Sequence, residues 1–311
     1  MTVNVLRSIS DLAMIRGPVV LAVGVFDGFH LGHRAVIERA MADASMAGGT
    51  AVVVTFDPHP AAILRPQNAP PLLTSTRHKV RLFREAGVRD VLVLQFTPEF
   101  AAKAPEHFIS ELVAACRPLR EICVGEDWAF GKERAGNLAL LKSLGTTLGF
   151  DAVGISAVSV DGRAVSSTVI RAAVEDGALD IAARLLGRDF AVFGKVIEGR
   201  RLGRTLGFPT ANVLPESEQL PPNGVYAVRV ALDGELHAGI ANVGVRPTVS
   251  SEGVNRLVEV HLFDFSGELY GCDLEVAFLR FVRAEQKFPS LDALRSQIAS
   301  DVTSVRASLA C

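Results

Sequence analysis

Apolar and polar residues follow different patterns in the two halves of the chain. Up to about residue 187, short continuous apolar runs rich in β-branched residues are separated by stretches of helical length. The runs predict buried strands over 19–25, 50–56, 90–96 and 121–124. The stretches between them predict helices over 33–47, 76–86 and 98–115. Buried strands that alternate with crossover helices indicate an α/β domain built on a doubly wound parallel sheet.

After residue 187 the apolar residues alternate with polar ones in short runs, separated by turns rich in glycine and proline. This pattern predicts strands over 225–232, 237–243, 257–263 and 274–281. We expect an antiparallel sheet closed into a small β-barrel, followed by a C-terminal helix over 290–299 with Ser290 as its N-cap. The change of pattern places the domain boundary between residues 186 and 187, giving domains 1–186 and 187–311.

Composition limits the classes of protein to consider. The 311 residues are 49% apolar and 21% charged, which is typical of a soluble globular protein, and the net charge is −2. A surface that coats nucleic acid is therefore excluded, although a local phosphate pocket is not. We expect a cytoplasmic protein with small-molecule partners, no nucleic acid and no membrane, because no apolar run approaches membrane length and no secretory signal is visible. Weak self-association is left open.

The four cysteines are Cys116, Cys123, Cys272 and Cys311. No pair has C-x-x-C spacing and no cluster of histidines accompanies them, so we expect reduced thiols and no transition metal.

The run GVFDGFHLGHRAVI, residues 24–37, lies where the first strand ends and the first helix begins. A helix start presents unpaired N–H groups, and Gly32 lets a ligand approach the backbone closely. His30 and His33 could then stabilise the charge that develops on a phosphorus centre during transfer. We expect Gly24 and Phe26 of the same turn to contact the nucleotide. The alternative is a histidine pair that only caps a turn between strand and helix.

Two weaker segments accompany this motif. In TFDPHP, residues 55–60, flanking prolines fix the backbone and direct His59 away from the carboxyl end of a strand. In VSSTVIR, residues 165–171, the hydroxyls of Ser167 and Thr168 and the guanidinium of Arg171 suit a polyphosphate. The alternatives are an ordinary rigid turn and an ordinary helix start.

Together these three motifs resemble the nucleotidyltransferase superfamily that transfers AMP from ATP. Residues 124–131 and 132–137 are similar to the flavin-side segment of the bacterial bifunctional riboflavin kinase/FAD synthetase family. The chain departs from that family at Val25, where asparagine is frequent, and at Trp128, where phenylalanine is usual. The resemblance implies that the flavin is contacted by His59, Asp127 and Asn137. The alternative interpretation of residues 124–137 is a strand followed by a glycine-rich surface loop.

In the second half, residues 199–212 place glycines and arginines, including Arg200 and Arg201, ahead of a P-T-A-N turn. We expect a loop over phosphates that includes Gly203. The oxygens of Thr210 and Asn212 are hard ligands suited to Mg²⁺. The alternative is a solvated basic loop. No Walker-type motif occurs in the chain.

The second half resembles the riboflavin kinase domain over nearly its whole length. The matching segments are 203–212, 222–228, 239–248, 258–265 and 283–288. The resemblance implies that Glu259 is the catalytic carboxylate and that Arg283 and Glu285 contact flavin. Strand alternation alone would make Glu259 a solvent-facing residue, and would not distinguish it from Glu268 or Glu275.

The resemblance implies a bifunctional enzyme that phosphorylates riboflavin to FMN and then joins FMN to AMP, giving FAD and pyrophosphate. Its substrates are riboflavin, FMN and ATP, and its metal is Mg²⁺. Two alternatives stay open. One is an adenylyltransferase for another acceptor, such as a nicotinate or pantetheine phosphate. The other is a non-enzymatic flavin-binding or regulatory protein, which would be expected to have lost His30, His33 or Glu259.

Overall fold

The computed structural model describes residues 3–199, 202–232, 234–245 and 256–309. The chain divides into two compact units, which we call the sheet unit (Met1–Pro70 with Thr76–Ser166) and the barrel unit (Pro71–Ser75 with Ser167–Cys311). The predicted fold class is confirmed for both halves of the chain. The boundary between 186 and 187 stays a prediction. In the structure, residues 167–186 group with the barrel unit.

The sheet unit contains six parallel strands in the order β1-β4-β3-β2-β5-β6. These strands are β1 (Asn4–Leu6), β2 (Val19–Val23), β3 (Thr50–Asp57), β4 (Asp90–Gln95), β5 (Leu119–Gly125) and β6 (Asp151–Ile155). The helices are α1 (Leu31–Met46), α2 (Pro60–Leu64), α3 (Thr76–Glu85), α4 (Pro98–Ala101), α5 (Pro105–Ala115) and α6 (Leu138–Leu148). A two-stranded ribbon, β7 (Ser159–Val160) and β8 (Arg163–Ala164), is antiparallel.

Strand β2 is buried on both faces, as its continuous apolar run predicts. Leu21 packs into a cluster with Ile109 and Leu112 of α5, whereas Ala22 packs into a second cluster with Ile37 of α1. Alternate residues of one strand therefore belong to separate cores, which places helices on both faces of the sheet.

The prediction of a single helix over 98–115 is wrong, because two helices, α4 and α5, occupy this stretch. Pro105 is the first residue of α5, a position where the missing N–H costs nothing, and the residue before a proline disfavours helical backbone. Strands β1 and β6 were not predicted. β1 has only three residues, and β6 contains Gly154 and is only half buried, so neither gives a clear apolar run.

The barrel unit is a closed barrel in the order β10-β13-β12-β11-β14-β9. Its strands are β9 (Phe190–Ile197), β10 (Ala211–Pro215), β11 (Gly224–Leu232), β12 (Glu235–Val245), β13 (Arg256–Leu262) and β14 (Asp273–Arg283). All pairings in the barrel are antiparallel, as predicted. The helices are α7 (Ser167–Glu175), α8 (Leu179–Leu186), α9 (Leu202–Thr205) and α10 (Leu291–Leu309).

Two helices cover the barrel. Helix α8 packs its buried face against β9 and β14. Helix α10 packs against β12, and its Val305 is fully buried in a cluster with Val225 and Ile240. Ser290 caps α10, because its Oγ accepts from the N–H of Ala293 at 3.2 Å, as predicted. The predicted end of this helix at residue 299 is wrong, since it continues to Leu309.

A short segment from the first half of the chain, Pro71–Ser75, belongs to the barrel unit. The N–H of Leu72 donates to the carboxylate of Glu218 at 3.2 Å, and its carbonyl accepts from the N–H of Gln219 at 3.0 Å. The hydroxyl of Ser75 donates to Glu216 at 2.8 Å. These bonds attach the segment to the turn that follows β10.

Among the described residues, Cys116, Cys123 and Cys272 are free thiols, and Cys311 lies outside that part of the chain. None of the described helices combines the length and apolarity needed to cross a bilayer.

Candidate active sites

The first candidate site is the turn between β2 and α1 in the sheet unit. Phe26 and Phe29 have positive φ angles of 53° and 40°, a conformation that side chains rarely adopt and that is concentrated at functional sites. A side chain at Gly24 would come within 2.8 Å of the Phe26 ring, which explains the glycine. Phe26 itself is buried, and its ring contacts the ring of His33 edge to face at 5.3 Å. Gly24 and Phe26 therefore shape the turn.

The two histidines of the motif lie against each other at the start of α1. Their rings stack with centroids 3.5 Å apart, and the Nδ1 of His30 accepts from the N–H of His33 at 3.3 Å. A side chain at Gly32 would meet the His30 ring at 3.2 Å. His30 does cap the helix, as the alternative interpretation expected. The structure nevertheless brings His30, Gly32 and His33 together at a helix start that suits an anion.

The surroundings of His33 favour the neutral form of its imidazole. Burial, followed by the neighbouring His30 and Lys79, lowers the pKa of His33 well below its ordinary value. Its Nδ1 atom is buried and has no hydrogen-bond partner among the described residues. A buried ring nitrogen without a partner is what a ligand group would satisfy. Without a ligand, His33 acts as a hydrogen-bonding group rather than as a fixed positive charge.

Two of the predicted flavin contacts, His59 and Asn137, are helix caps. His59 caps α2, since its Nδ1 accepts from the N–H of Ala61 at 3.0 Å. Asn137 caps α6, since its Oδ1 accepts from the N–H of Leu140 at 3.0 Å. Asp127 is exposed just after β5. Their contacts with flavin stay predictions.

Ser167, Thr168 and Arg171 lie on α7, which begins at Ser167, within the segment predicted to open a helix. This helix belongs to the barrel unit, where the Nε of Arg171 donates to the carbonyl of Pro71 at 2.7 Å. That these three residues share a phosphate site with His30 stays a prediction.

One buried charged residue that contacts the histidine turn was missed in the sequence. Lys79 on α3 is only 3% exposed and contacts the same turn. Its Nζ donates to the carbonyl of Val25 at 3.1 Å and lies 3.4 Å from the Oγ1 of Thr55. The sequence did contain a signal, because Lys79 falls three and four residues before Leu82 and Phe83, on the apolar face of the helix.

The second candidate site is a cavity of about 350 Å³ in the barrel unit. It gathers five of the predicted residues with several aromatic and apolar side chains. The predicted residues lining it are Gly203, Thr210, Glu259, Arg283 and Glu285. A side chain at Gly203 would collide with the carbonyl of Phe208, so the glycine permits this close approach.

Glu259 is exposed in the middle of three paired strands. In register it lies opposite Asn212 on β10 and opposite Asn242 on β12. Asn212 is buried, and a side chain at Gly199 would collide with its amide. The Nδ2 of Asn242 donates to Glu285 at 3.1 Å. The structure thus places the predicted carboxylate Glu259 next to the predicted magnesium ligand Asn212, with a second amide on the other side.

Arg283 forms an ion pair in the lining of the cavity. Its Nε lies 2.8 Å from a carboxylate oxygen of Asp301 on α10, which is buried. The other oxygen of Asp301 accepts from Gln297 at 2.8 Å, and the Arg283 guanidinium lies 5.7 Å from the Phe288 ring. Arg283 therefore joins the end of β14 to α10.

Asn242 and His261 line the same cavity and were not singled out from the sequence. The Nδ1 of His261 lies 2.8 Å from the carbonyl of Pro209, and its ring contacts Phe208 at 5.5 Å. His261 is two residues after Glu259, on the same side of β13. The alternation of side chains along β13 could have indicated His261 from the sequence. Asn242 lies next to Glu259 only because of the register between β12 and β13.

A smaller cavity of about 80 Å³ lies on the other side of Thr210, lined also by Pro209, Glu268 and Tyr270. Glu275 lies on β14 opposite Phe193. Of the three glutamates that spacing could not separate, only Glu259 lines the larger cavity among the described residues. Arg200, Arg201 and residues 246–248, which belong to the predicted loop and matching segments, lie outside the described residues.

Comparison with known proteins identifies the family. A model of the FAD synthetase family matches residues 13–169, and a model of the riboflavin kinase family matches residues 186–309. The bifunctional riboflavin kinase/FMN adenylyltransferase of Escherichia coli K12 is 40% identical over 92% of this chain and 91% of its own. The chain belongs to the family of bifunctional riboflavin kinases/FMN adenylyltransferases.

Other relatives of this family extend over almost the whole chain. The Haemophilus influenzae protein of the same name is 37% identical over 98% of both chains. Among solved structures, a macrolide-efflux protein from Streptococcus pneumoniae is 28% identical and superposes with a TM-score of 0.82, covering 98% of this chain and 99% of its own. The resemblance and the bifunctional activity predicted from the sequence are confirmed at the level of the family. An adenylyltransferase for another acceptor would not account for the second match.

Proposed function

We propose that the two activities of this family lie in the two candidate sites. The barrel cavity around Glu259 would make FMN from riboflavin and ATP, and the turn that carries His30 and His33 would make FAD from FMN and ATP. The observation that carries the kinase assignment is the position of Glu259 between Asn212 and Asn242, in one cavity with Thr210. Carboxylate, amide and hydroxyl oxygens are the groups that hold and activate a phosphoryl donor and its acceptor.

In the kinase step, Glu259 would orient the 5′-hydroxyl of riboflavin and accept its proton. The hydroxyl oxygen then bonds to the γ-phosphorus of ATP, while the bond from that phosphorus to the bridging oxygen of ADP breaks. Because Glu259 is exposed in the cavity, it can release the proton to solvent after each turnover.

Mg²⁺ is the metal we propose for this site. The hydroxyl of Thr210 and the side-chain carbonyl of Asn212 are hard oxygen donors that fit it, with its other positions left to water and phosphate oxygens. When bound, the metal would neutralise charge on the ATP phosphates. Gly203 would let the loop backbone approach those phosphates closely.

The size and lining of the cavity support the proposal that it binds flavin. Its volume of about 350 Å³ falls in the range of roughly 300–1,000 Å³ that is typical of small-molecule pockets. Apolar side chains such as Phe288 and Ile298 line it and would pack on the isoalloxazine ring. Arg283 and Glu285 would provide polar contacts at its edge.

In the adenylyl step, an oxygen of the FMN phosphate would attack the α-phosphorus of a second ATP. Pyrophosphate leaves as the α–β bridging bond breaks, so no covalent enzyme intermediate is required. His30 and His33, with the donors of Ser167, Thr168 and Arg171, would hold the phosphates and stabilise the transition state. We propose His59, Asp127 and Asn137 as flavin contacts. Because both steps consume ATP, we place the enzyme in the cytoplasm.

The test is to incubate the purified protein with riboflavin and Mg·ATP and to separate the flavins chromatographically. We expect FMN first and FAD after it. His33→Ala should lower the rate of FAD formation from FMN by about 10²–10³-fold, the usual cost of losing a transition-state donor. FMN formation from riboflavin should continue at the wild-type rate. Loss of both activities in a folded His33→Ala protein would contradict the assignment.

A further inference from the structure

Lys79 is the only buried lysine among the described residues, and it contacts the turn that carries His30 and His33. Its Nζ donates to the carbonyl of Val25, the second residue of that turn. The hydroxyl of Thr55 donates to the same carbonyl oxygen at 3.0 Å. A single backbone oxygen therefore receives two side-chain donors from two different elements, α3 and β3.

Burying an ammonium group is costly, so this position needs an explanation. Burial lowers the pKa of Lys79, whereas the carboxylates of Asp27 and Asp57 act in the opposite direction and favour the charged form. Asp27 is itself 2% exposed. A neutral donor such as Thr55 already satisfies the Val25 carbonyl, so hydrogen bonding alone does not require a lysine there.

We propose that Lys79 is a positioning residue for AMP transfer, whose ammonium group fixes the Val25 carbonyl and with it the turn that places His30 and His33. This inference rests on the proposed role of those histidines. The turn contains two non-glycine residues with positive φ, so it needs contacts that hold it in place. A displacement of about 1 Å at such a site can cost on the order of 10²-fold in rate.

The charge of Lys79 has a second effect on the same site. The titratable and charged groups that face His33 are His30 and Lys79, and the carboxylates that face Lys79 are Asp27 and Asp57. After burial and the neighbouring His30, the positive charge of Lys79 also disfavours a proton on His33 and helps to lower its pKa. Removing that charge should raise the pKa of His33.

The experiment compares Lys79→Met, which keeps the length of the side chain but removes the charge, with Lys79→Arg and the wild-type protein. FAD formation from supplied FMN is measured, and the His33 ring is titrated by proton NMR, with its signal assigned by comparison with His33→Ala. We expect Lys79→Met to lower kcat for FAD formation by about 10–100-fold. The pKa of His33 should rise, and Lys79→Arg should leave that pKa near its wild-type value.

Two controls separate positioning from general damage to the fold. FMN formation from riboflavin should keep its wild-type rate in Lys79→Met. Arg84→Met removes an exposed charge from the same helix and should change neither FAD formation nor the pKa of His33. Thr55→Val removes the other donor to Val25 but keeps the Lys79 charge, so it should slow FAD formation without raising the pKa of His33.

The proposal is overturned if folded Lys79→Met makes FAD at the wild-type rate, or if the pKa of His33 does not change. If Lys79→Met fails to fold, Lys79→Gln, which is polar but uncharged, decides, and a wild-type rate of FAD formation in that variant overturns the proposal. Failure of the proposed function gives a different result. In that case His33→Ala itself would leave FAD formation unaffected, whatever Lys79 does.

Discussion

Glu259 is exposed, whereas its neighbours Val258 and Val260 are buried. This alternation directs the carboxylate away from the barrel interior and toward the cavity. Any polar residue of a strand is expected to face solvent. For Glu259 that same orientation places the carboxylate in the cavity. What distinguishes Glu259 is the pair of asparagines beside it, which comes from the register and not from the exposure.

Replacing Glu259 with glutamine should keep the shape of the site and remove the proton acceptor. We expect FMN formation to fall by about 10²–10⁴-fold, the usual contribution of a general base, with flavin and Mg·ATP binding close to wild type by calorimetry. FAD formation from supplied FMN should be unchanged. Glu275→Gln on β14 is the matched control. A wild-type rate in Glu259→Gln would mean that the proton goes elsewhere, and Glu268 would be tested next.

A second residue-scale prediction concerns Glu121, which is buried in the sheet unit. Burial raises the pKa of Glu121. The hydrogen bond and the charge repulsion between Glu121 and Asp43 raise this pKa further, whereas the hydrogen bond that the Cys123 thiol donates to Glu121 lowers it. A carboxyl whose pKa is higher in the folded state binds its proton more tightly there. Its contribution to stability is therefore lost as the pH rises above about 4.5, the ordinary pKa of glutamate.

Glu121→Gln mimics the protonated form, so it should not lose stability over this range. We expect its melting temperature to exceed that of the wild type at pH 8, with a smaller difference at pH 5. The exposed Glu38→Gln on α1 is the control and should show no such dependence. Parallel melting curves for Glu121→Gln and wild type across this range would contradict the prediction.

At the scale of elements, the end of α10 was hard to foresee because the helix has few buried residues. Asp301 and Val305 are its buried positions, so the apolar periodicity that marks a helix is weak beyond residue 299. Part of what holds this stretch is the ion pair between Asp301 and Arg283. That contact joins residues 18 positions apart and depends on tertiary structure.

Breaking this ion pair should loosen α10 and the cavity together. Asp301→Ala leaves Arg283 without its buried partner, which costs about 3 kcal/mol in comparable cases. We expect a lower urea midpoint for loss of FMN-forming activity and a higher KM for riboflavin. Arg295→Ala, an exposed change on the same helix, is the control. An unchanged midpoint in Asp301→Ala would show that α10 is held by its apolar contacts alone.

Elements with a strong local signal could be predicted from the sequence, and those that depend on distant partners could not. Strand β2 is a run of buried aliphatic residues, and the turn after it combines glycines with two histidines, so both were found. Lys79 was missed because a lysine is ordinarily read as exposed. Asn242 was missed because its closeness to Glu259 depends on how β12 and β13 align.

At the scale of the molecule, helices α7 and α8 group with the barrel although they precede the change of sequence pattern. Leu179, Ala182, Leu185 and Leu186 of α8 are buried, and this helix packs on β9 and β14. The predicted boundary after residue 186 would leave that surface of the barrel uncovered. The match to the riboflavin kinase family begins at residue 186, so the family match and the packed unit start at different residues.

Two fragments test where the barrel unit begins. We expect both 187–311 and 167–311 to make FMN, since each contains the cavity. The longer fragment should melt at least about 5 °C higher, because it keeps the apolar contacts of α8. The measurement is thermal unfolding followed by circular dichroism, with FMN formation as the check on folding. Equal melting temperatures would mean that α8 adds nothing to the barrel.

The segment Pro71–Ser75 has a consequence for genetics. It lies within the stretch that matches FAD synthetase, yet its hydrogen bonds go to Glu216, Glu218 and Gln219 of the barrel unit. A missense allele at Ser75 would be assigned to the adenylyltransferase by its place in the gene. Its phenotype should include a kinase defect, so complementation by a separately encoded adenylyltransferase half would not fully rescue it.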